Sequence, residues 1–551
     1  MYVEKLLEDM TLEEKIGQMF MLAFAGNRLD EARVLLEEHF VGACYIGNEN
    51  VPTPEAAVQL TQALQSYAGR TRLKIPMLLG ADQEGAWSVM TPASSPGPGN
   101  MALGATASPD DAYRMYKVIG QELTSVGLNA IFAPCADCNS NPINSIIGMR
   151  SFGEKPDLVG ALTAAAVRGA HDGGIIATVK HFPGHGDTTI DTHRGLASVN
   201  RTQEELAVID LHPFNEGIKA GVDMVMTSHI IFTALDPNNP ATLSPFILQN
   251  VLRQQLGFEG VVVSDSMNMQ AMKKNYAPHI SAIAGLKAGV DVMMLAEEHY
   301  DHDAATYLQQ QRELITAVKA AVESGELPIE RVNDAVRRVL SLKAKYNLLA
   351  QSKDYEHIVG SADHRQIELD VARHAVAILR DDNHLLPVSR ARSIALVNTT
   401  QRSSYAGLGA TRGIGPNQTT AAFAYFSDAM KDKYPNHRLF SAEDVLAGEL
   451  DLQPDELVIA VTENYPLPGM DFDQSSQLQV IQQLLEVAPD RLIVVALRDP
   501  YELRYLPDVR SYVCAFSFRP ASAQAAAEIL NGEFEPQGKS PVSVPDTEIV
   551  A

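Results

Sequence analysis

The sequence predicts an α/β protein in which a (β/α)8 TIM-type barrel is followed by a smaller α/β sandwich domain. Three observations lead to this prediction. Eight short apolar runs in the first 300 residues are each followed by a polar loop and an amphipathic helix. This alternation stops at a polar stretch near residue 350. Beyond it, four further apolar runs alternate with helical stretches.

The eight apolar runs of the first part are continuous rather than alternating, which is typical of strands buried on both faces of a parallel sheet. In chain order they are MLAFAG near 21, GACYIG near 42, MLLGAD near 77, IFAPCAD near 131, ATVKHF near 177, MVMTSHI near 224, GVVVSDS near 260 and DVMMLAE near 291. We therefore assign residues 1–345 to the barrel.

Helix start signals lie between these runs. The S/T-x-x-E patterns that begin at Thr11 and Thr202 predict capping boxes, in which the N-cap side chain and a glutamate satisfy free backbone N–H groups. Thr53 followed by Pro54 predicts an N-cap with proline in the first helical position. These signals place helices after the strands, as a β-α repeat requires.

The second domain is predicted from a change of pattern. Residues 346–365 are polar and contain no strand signal, so we expect a linker there. Residues 366–551 then carry the strand-like runs SIALVNTT near 393, LVIAVTEN near 457, RLIVVALR near 491 and SYVCAFSF near 511. Helical stretches separate these runs, which predicts a smaller α/β sandwich.

Composition and charge exclude several classes of protein. Lys and Arg number 44 against 68 Asp and Glu, and a net charge of −24 argues against a nucleic-acid partner, which requires a basic surface. No apolar run is long enough to span a membrane. A signal peptide begins with basic residues and continues with an apolar run, whereas the first residues here, MYVEKLLEDMTLEEKIG, include several Glu and Asp. We therefore expect a cytoplasmic protein.

The four cysteines do not predict a disulfide scaffold in a chain of 551 residues. Cys135 and Cys138 form a single C-x-x-C without a second pair, so a zinc or redox site there is the less favoured interpretation. Two small, partly buried residues at the end of a strand explain the pair more simply.

Candidate chemistry is sought at the carboxyl ends of the barrel strands, because active sites of such barrels lie there. Strand 3 ends at Asp82, strand 4 leads to Arg150, strand 5 ends at Lys180 and His181, strand 6 ends at His229, and strand 7 ends at Asp265. Carboxylates, cations and histidines would thus meet at one mouth, where His229 is a further candidate for binding the substrate. Such a polar cleft suits a substrate with many hydroxyl groups.

The loop after strand 5, FPGHGDTTIDTHR, is the richest segment. Asp191 and His193 are two residues apart and share a side in an extended stretch, so the carboxylate could orient the imidazole for proton transfer near neutral pH. A metal site is the rival interpretation. Its candidate ligands are His181, His185, Asp187, Asp191 and His193. Against it, Lys180 beside His181 would repel a cation.

The segment KHFPGHGDTTIDTHRGL closely resembles the strand-5 signature of glycoside hydrolase family 3, in its bacterial two-domain β-N-acetylglucosaminidase branch. Further segments agree in the same order along nearly the whole chain. They are GADQEG at 80, GNMALGAT at 99, IIGMRSFGE at 146, AGVDMVMTSHI at 220, GVVVSDSMNM at 260 and LRDPYEL at 497.

The resemblance implies roles for individual residues. Asp265 matches the family's nucleophile, His193 its general acid/base and Asp191 the partner of that histidine. The residues that match binders of sugar hydroxyls in the −1 subsite are Asp82, Arg150, Lys180 and His181. No metal or organic cofactor is implied, and the expected partner is a small carbohydrate. The sequence leaves the oligomeric state open.

The sequence departs from the family in one place. The family commonly reads DQEGGRVxR after strand 3, whereas this chain reads DQEGAWSVM. Trp87 and Met90 therefore stand at two arginine positions. One interpretation is that both line the −1 subsite or its rim and alter the preferred sugar. The other is that Trp87 only packs against the top of the barrel.

The predicted function is that of a retaining exo-β-N-acetylglucosaminidase acting on β-linked N-acetylhexosaminides from cell-wall or chitin fragments, as in peptidoglycan recycling. Two alternatives remain at this point. One is a family 3 glycosidase or glycoside phosphorylase with a different −1 sugar. The other is a catalytically silent sugar-binding protein, which would have no need of Asp265, Asp191 and His193.

Overall fold

The computed structural model covers the chain apart from several short segments. It describes residues 2–24, 26, 28–87, 90, 93–144, 146–189, 195–296, 304–346, 348, 354–400, 418, 420–463 and 475–544. Within these residues the chain folds into two α/β domains, the first built on parallel strands and the second on a mixed sheet.

The first domain contains ten short strands among its described residues. They are β1 (Phe20–Leu22), β2 (Ala43–Tyr45), β3 (Leu78–Ala81), β4 (Ala130–Ile131), β5 (Thr178–Phe182), β6 (Ala197–Val199), β7 (Met224–Thr227), β8 (Ile230–Phe232), β9 (Val261–Val263) and β10 (Met293–Leu295). All of their pairings are parallel, in the orders β10-β1-β2-β3-β4, β5-β7-β9 and β6-β8.

The first two of these sheets form the predicted barrel. Parallel bridges between Ala130 and Ile176 and between Val263 and Val292 join the two sheets at both edges. Alternate strand residues then face different neighbours. Met21 lies in a cluster with residues from opposite strands, and its neighbour Phe20 packs with the helices outside. All eight predicted strands occur, and the α/β barrel prediction is confirmed.

Helices cover the outside of the barrel. They are α1 (Tyr2–Asp9), α2 (Leu12–Gln18), α3 (Leu29–Glu37), α4 (Pro54–Ala68), α5 (Asn100–Thr106), α6 (Pro109–Ser125), α7 (Pro156–Asp172), α8 (Gln203–Val208), α9 (Leu211–Lys219), a π-helix (Phe246–Gln255), α10 (Gln270–Lys273), α11 (Pro278–Ala288), α12 (Ala304–Glu323) and α13 (Ile329–Lys345). The predicted capping boxes at Thr11 and Thr202 are present, and Thr53 caps α4 with proline in its first turn.

Two helices lead from the barrel to the second domain, α14 (Tyr355–Ile358) and α15 (Ala362–Ala375). The second of these packs against barrel helices α5 and α6 as well as against the C-terminal domain. Part of the predicted linker 346–365 lies outside the described residues. The domain boundaries at 345 and 366 therefore stay a prediction.

The C-terminal domain has a six-stranded sheet among its described residues. Its strands are β11 (Ala377–Asp381), β12 (Ile394–Asn398), β13 (Arg438–Phe440), β14 (Leu457–Thr462), β15 (Leu492–Ala496) and β16 (Ser511–Cys514). The sheet order is β11-β16-β15-β14-β12-β13, and β11 alone runs antiparallel to its neighbour. The flanking helices are α16 (Ala422–Lys433), α17 (Ala442–Leu446), α18 (Ser475–Val487) and α19 (Pro520–Leu530).

The sequence predicts the four central strands of this sheet but not β11 and β13. Both are edge strands, and most of their residues are only partly buried. An edge strand has one neighbour and needs no continuous apolar run, so the pattern that identifies the central strands is missing there.

The two domains share an apolar interface. Trp87, Ile146 and Met149 from the loops at the barrel mouth belong to the same buried cluster as the core of the C-terminal domain. The C-terminal domain therefore packs against the end of the barrel at which the candidate residues lie. All four cysteines are buried and unpaired by disulfides. None of the described helices is both long and apolar enough to cross a bilayer.

Candidate active site

The ends of β2, β3 and β5 bring three polar side chains together. The Tyr45 hydroxyl donates a hydrogen bond to Asp82 Oδ2 at 2.9 Å, and Lys180 Nζ lies 2.6 Å from Asp82 Oδ1. Lys180 is almost fully buried, whereas the Asp82 side chain is 23% exposed. Burial, followed by the Asp82 charge, raises the pKa of Tyr45 well above its usual value. Tyr45 therefore remains a donor, and Asp82 keeps a face open to solvent.

A second carboxylate, Glu84, lies deeper and is held by two cations. Arg150 Nε and Nη2 each donate to Glu84 at 2.9 Å, and Lys180 Nζ approaches Glu84 Oε1 at 2.6 Å. Burial disfavours the charge of Glu84, but Arg150 and Lys180 outweigh it and hold the pKa of Glu84 below its usual value. Burial likewise opposes the Lys180 charge, yet Asp82 and Glu84 raise the Lys180 pKa. Each of these neighbours thus favours the charged form of the other.

His181 is oriented by a buried aspartate in the loop after β4. Asp137 is fully buried and accepts hydrogen bonds from His181 Nδ1 at 2.8 Å and from the His185 backbone N–H at 2.7 Å. Burial raises the pKa of Asp137, but His181 outweighs it, and the net shift is downward. His181 Nε2 then lies 3.4 Å from Arg150 Nη2. Burial, followed by the neighbouring His181, lowers the pKa of His185 to about 4, so His185 is neutral.

Asp265 lies two residues beyond β9, at the same end of the barrel. Its Oδ1 accepts a 2.7 Å hydrogen bond from the Ser266 backbone N–H, and its charge contributes to the raised pKa of Tyr45. His229 supports this loop from β7, since its Nε2 lies 3.0 Å from the Ser266 carbonyl oxygen and its Nδ1 lies 2.9 Å from Thr242 Oγ1. His229 is 1% exposed, which suits it to holding the loop.

Comparison with known proteins identifies the family. Residues 11–342 match the glycosyl hydrolase family 3 N terminal domain, and residues 376–549 match the glycosyl hydrolase family 3 C-terminal domain. The chain belongs to glycosyl hydrolase family 3. The family resemblance predicted from the sequence is confirmed, and this protein is a glycoside hydrolase.

Individual relatives extend this family match. Beta-hexosaminidase A of Pseudoalteromonas piscicida is 32% identical over 68% of this chain and 65% of its own length. A beta-N-acetylglucosaminidase/beta-glucosidase of Cellulomonas fimi is 27% identical over 98% of this chain and 95% of its own. The solved structure of a glycoside hydrolase family 3 beta-N-acetylglucosaminidase from Paenibacillus sp. str. FPU-7 matches with a TM-score of 0.84 and 30% identity, over 98% of this chain and all of that one.

The structure of this family 3 enzyme brings many of the predicted site residues to one end of the barrel. Asp82, Arg150, Lys180 and His181 form one connected network, with Asp265 close to Tyr45 at its edge. Asp191 and His193 lie outside the described residues. Their predicted role as an acid/base dyad stays a prediction, as does the role of every other residue assigned by resemblance.

Trp87 and Met90 are both present at the β3 loop but are buried. Trp87 is 6% exposed and Met90 is 1% exposed. The indole ring of Trp87 lies against the Arg150 guanidinium, 4.9 Å from its centroid to Cζ. Met90 packs into the apolar core of the barrel, and its N–H donates to Gln83 Oε1 at 3.3 Å. This burial favours packing beneath Arg150 over direct contact of Trp87 with a sugar.

Three members of the network are missing from the predicted site residues. Glu84 stands within the quoted DQEG segment, and its place two residues after Asp82 at a strand end could have identified it. Asp137 lies in the loop between β4 and Arg150, which the sequence already places at the mouth. Tyr45 is the last residue of β2 and lies within an apolar run, where an aromatic ring is expected to belong to the core. Its hydrogen bond to Asp82 is what identifies it as a member of the network.

Among the described residues, one group of three potential metal ligands lies close together. Cys135, Asp137 and His181 place ligand atoms within 4.8 Å of one another. Burial, followed by the Asp137 charge, raises the pKa of the Cys135 thiol well above its usual value. A protonated thiol is a poor ligand, and Cys135 Sγ instead lies 2.9 Å from Asp137 Oδ2 as a hydrogen-bond donor. This donor set fits a hydrogen-bond chain.

Proposed function

We propose that this enzyme is a retaining exo-β-N-acetylglucosaminidase that acts on β-linked N-acetylhexosaminides. The observation that carries the proposal is the position of Asp265 at the barrel mouth, beside the network of Asp82, Lys180 and Arg150. A carboxylate next to several fixed hydroxyl-binding groups suits attack on the anomeric carbon of a sugar. The similarity to proteins named as beta-hexosaminidases and beta-N-acetylglucosaminidases supports the choice of sugar.

In the proposed mechanism an Asp265 oxygen bonds to the anomeric carbon as the bond to the leaving oxygen breaks. His193, charged and oriented by Asp191, gives its proton to that oxygen. The neutral imidazole then takes a proton from a water molecule that attacks the anomeric carbon and releases Asp265. Two displacements at one carbon retain its configuration. Asp82, Lys180, Arg150 and His181 hold the sugar hydroxyls by charge-assisted hydrogen bonds.

The nucleophile is tested by substitution and labelling. Asp265→Ala should lower kcat on an aryl N-acetyl-β-glucosaminide by several orders of magnitude, because no covalent intermediate can form. The unfolding temperature should change little, since Asp265 is partly exposed. A fluorosugar inactivator should label Asp265 in the wild type, as peptide mass spectrometry would show. Label on another residue would refute the assignment.

The acid/base role of His193 is tested by leaving groups. His193→Ala should reduce kcat/KM strongly for substrates with an alkyl or sugar leaving group and much less for activated aryl glycosides, because a good leaving group needs little protonation. Kinetics on a series of aglycones of rising pKa would measure this. Equal losses across the series would assign His193 a structural role instead.

The substrate is tested with a panel of aryl glycosides that carry N-acetyl-β-glucosaminide, N-acetyl-β-galactosaminide, β-glucoside or β-xyloside, each with and without phosphate. The proposal expects N-acetylglucosaminide to be cleaved best and phosphate not to appear in the product. A sugar phosphate product would instead support the phosphorylase alternative, and binding without turnover would support a silent sugar-binding protein.

The natural substrate is proposed to be a cell-wall or chitin fragment, with peptidoglycan recycling as the favoured setting. Muropeptides that carry N-acetylglucosamine β-linked to N-acetylmuramic acid, compared with chitobiose at equal concentration, would distinguish these two sources. Preference for the muropeptide supports recycling. The predicted cytoplasmic location stays a prediction.

A further inference from the structure

Groups outside the barrel hold the β3 loop, by which we mean the described segments 82–87 and 93–99, near both of its ends. Arg519, which immediately precedes α19, donates through Nη2 to the Gly85 carbonyl oxygen at 3.0 Å and to the Ala86 carbonyl oxygen at 2.7 Å. Glu368, on helix α15, accepts a hydrogen bond from the Gly97 N–H at 3.0 Å. The loop that bears Asp82 and Glu84 is thus tied to groups outside the barrel.

The two ends of the β3 loop also press against each other. Gly85 and Gly99 have positive φ angles of +89° and +104°, which favour glycine. A Cβ atom on Gly99 would lie 2.6 Å from the Ala86 Cβ, and one on Gly85 would lie 2.8 Å from the Gly99 Cα. Such close packing leaves little free space, so a shift of the peptides at 85 and 86 is transmitted to their neighbours.

Those neighbours belong to the candidate site. The Glu84 N–H donates to the Trp87 carbonyl oxygen at 2.6 Å, closing a tight turn around Gly85 and Ala86. The side chains at the two ends of this turn both contact Arg150, Glu84 through two hydrogen bonds and Trp87 through its ring. The carbonyl groups in the middle of the turn accept from Arg519.

The Arg519 guanidinium is nearly inaccessible, with 2% of the residue exposed. Its other described neighbours include Gln418 Oε1 at 3.4 Å, the Phe518 ring at 5.6 Å and the Glu368 carboxyl group. Burial raises the pKa of Glu368 to about 7, and the Arg519 charge opposes that rise. The two carbonyl oxygens of the turn are therefore among the acceptors that compensate this buried cation. The loop and Arg519 therefore hold each other in place.

We propose that Arg519 is a positioning residue for the sugar site: it fixes the Glu84–Trp87 turn from the C-terminal domain, and so sets the place of Arg150. This assigns the C-terminal domain a part in catalysis without contact with the substrate. The expected fall in kcat/KM rests on the proposed function, because it is measured with a hexosaminide substrate. The expected change in the surroundings of Trp87 does not rest on the proposed function.

The chain supplies its own reporter, since Trp87 is its one tryptophan and lies in the gripped turn. Arg519→Met should move the Trp87 emission to longer wavelength, raise its quenching by acrylamide and lower kcat/KM by roughly 10- to 100-fold, because small misplacements of binding groups cost rate on that scale. Arg519→Lys keeps the charge but not the two-carbonyl geometry, and should fall between Arg519→Met and the wild type.

The matched control is Arg373→Met. Arg373 joins α15 to α19 through hydrogen bonds to Glu528 at 2.7 and 3.1 Å, and none of its described contacts is to the β3 loop. This variant should keep the wild-type Trp87 spectrum and kcat/KM within twofold, with a lower unfolding temperature. If Arg519→Met lowers only the unfolding temperature, as the control does, the proposal is overturned.

Two further outcomes also test the proposal: an Arg519→Met variant that does not fold, and a wild-type protein that cleaves no hexosaminide. If Arg519→Met fails to fold, Arg519→Lys is judged by the same spectrum and kinetics, and wild-type values there overturn the proposal. If the wild type cleaves no hexosaminide, the proposed function fails, whereas the emission and quenching of Trp87 in the Arg519 and Arg373 variants still decide whether Arg519 positions the turn.

Discussion

Two buried glutamates, one in each domain, meet opposite surroundings. Glu84 at the barrel mouth has Arg150 and Lys180 within 2.9 Å, and these cations outweigh burial so that the pKa of Glu84 is lowered. Glu502 in the C-terminal domain accepts from the hydroxyls of Thr462 at 2.6 Å and Tyr512 at 3.0 Å. Burial dominates there and raises the pKa of Glu502 to about 7.

The difference separates a site from a scaffold. Holding a buried carboxylate ionised requires cations, and those cations then present a charged surface to a ligand. A buried carboxyl group held mainly by hydroxyl donors needs no adjacent cation and has a raised pKa. The barrel mouth is built in the first way and the centre of the C-terminal sheet in the second, which is consistent with the barrel as the seat of the chemistry.

The largest effect is expected from Glu84→Gln. The amide would turn a donor toward Arg150 or Lys180 and remove the one described carboxylate that contacts both of these buried cations. Breaking a buried ion pair in this way costs about 3–5 kcal/mol, and we expect kcat/KM to fall by roughly 100-fold or more. Thermal unfolding and steady-state kinetics of the same preparation measure both effects.

The C-terminal domain offers a matched control in Glu456→Gln. Arg438 donates to Glu456 through Nε at 2.9 Å and through Nη2, the same two-nitrogen pairing that Arg150 makes with Glu84. Arg438 is 36% exposed although Glu456 is buried, so solvent screens only one side of the pair. We expect the unfolding free energy to fall and kcat/KM to stay unchanged. Comparable kinetic losses in both variants would mean that the Glu84 effect reflects instability rather than the site.

A smaller effect, with a characteristic pH dependence, is expected at Glu502. Between pH 4.5 and about 7 the unfolded chain has lost this proton while the folded chain retains it, so stability falls as pH rises through that window. The shift corresponds to roughly 3 kcal/mol at most. Glu502→Gln removes this loss. Relative to wild type, the variant should be less stable at pH 5 and equally or more stable at pH 8.

Glu368 and Asp210 also have raised pKa values, of about 7 and about 6, so the wild-type profile alone does not isolate Glu502. The difference between wild type and Glu502→Gln at each pH does, because the other two groups are common to both. Urea denaturation at pH 5 and pH 8 gives that difference. A constant difference across this range would show that Glu502 is already ionised when folded.

The sequence predicts the barrel well because a buried parallel strand leaves a continuous apolar run whatever its partners. It predicts Asp82 and Lys180 for a related reason, since polar residues at the carboxyl end of such a run lie near the mouth. Tyr45 is missed because an aromatic residue inside an apolar run fits the core, and the pattern does not show where its hydroxyl group is directed. Arg519 is missed because it lies 434 residues from Gly85, and only the packing of the two domains brings them together.

The smallest effect is expected at Trp87, where two interpretations of the departure from the family sequence make different predictions. The indole lies against Arg150 at 4.9 Å and is 6% exposed, so we expect it to act through the guanidinium. A cation–π contact is worth about 0.5–2 kcal/mol. Trp87→Phe should therefore reduce kcat/KM by roughly two- to fivefold and Trp87→Leu by roughly tenfold, with the same ratio for glucosaminide, galactosaminide and glucoside substrates. If the indole contacts the sugar instead, the substitutions should change the order of kcat/KM among these substrates. Such a change would show that Trp87 lines the −1 subsite.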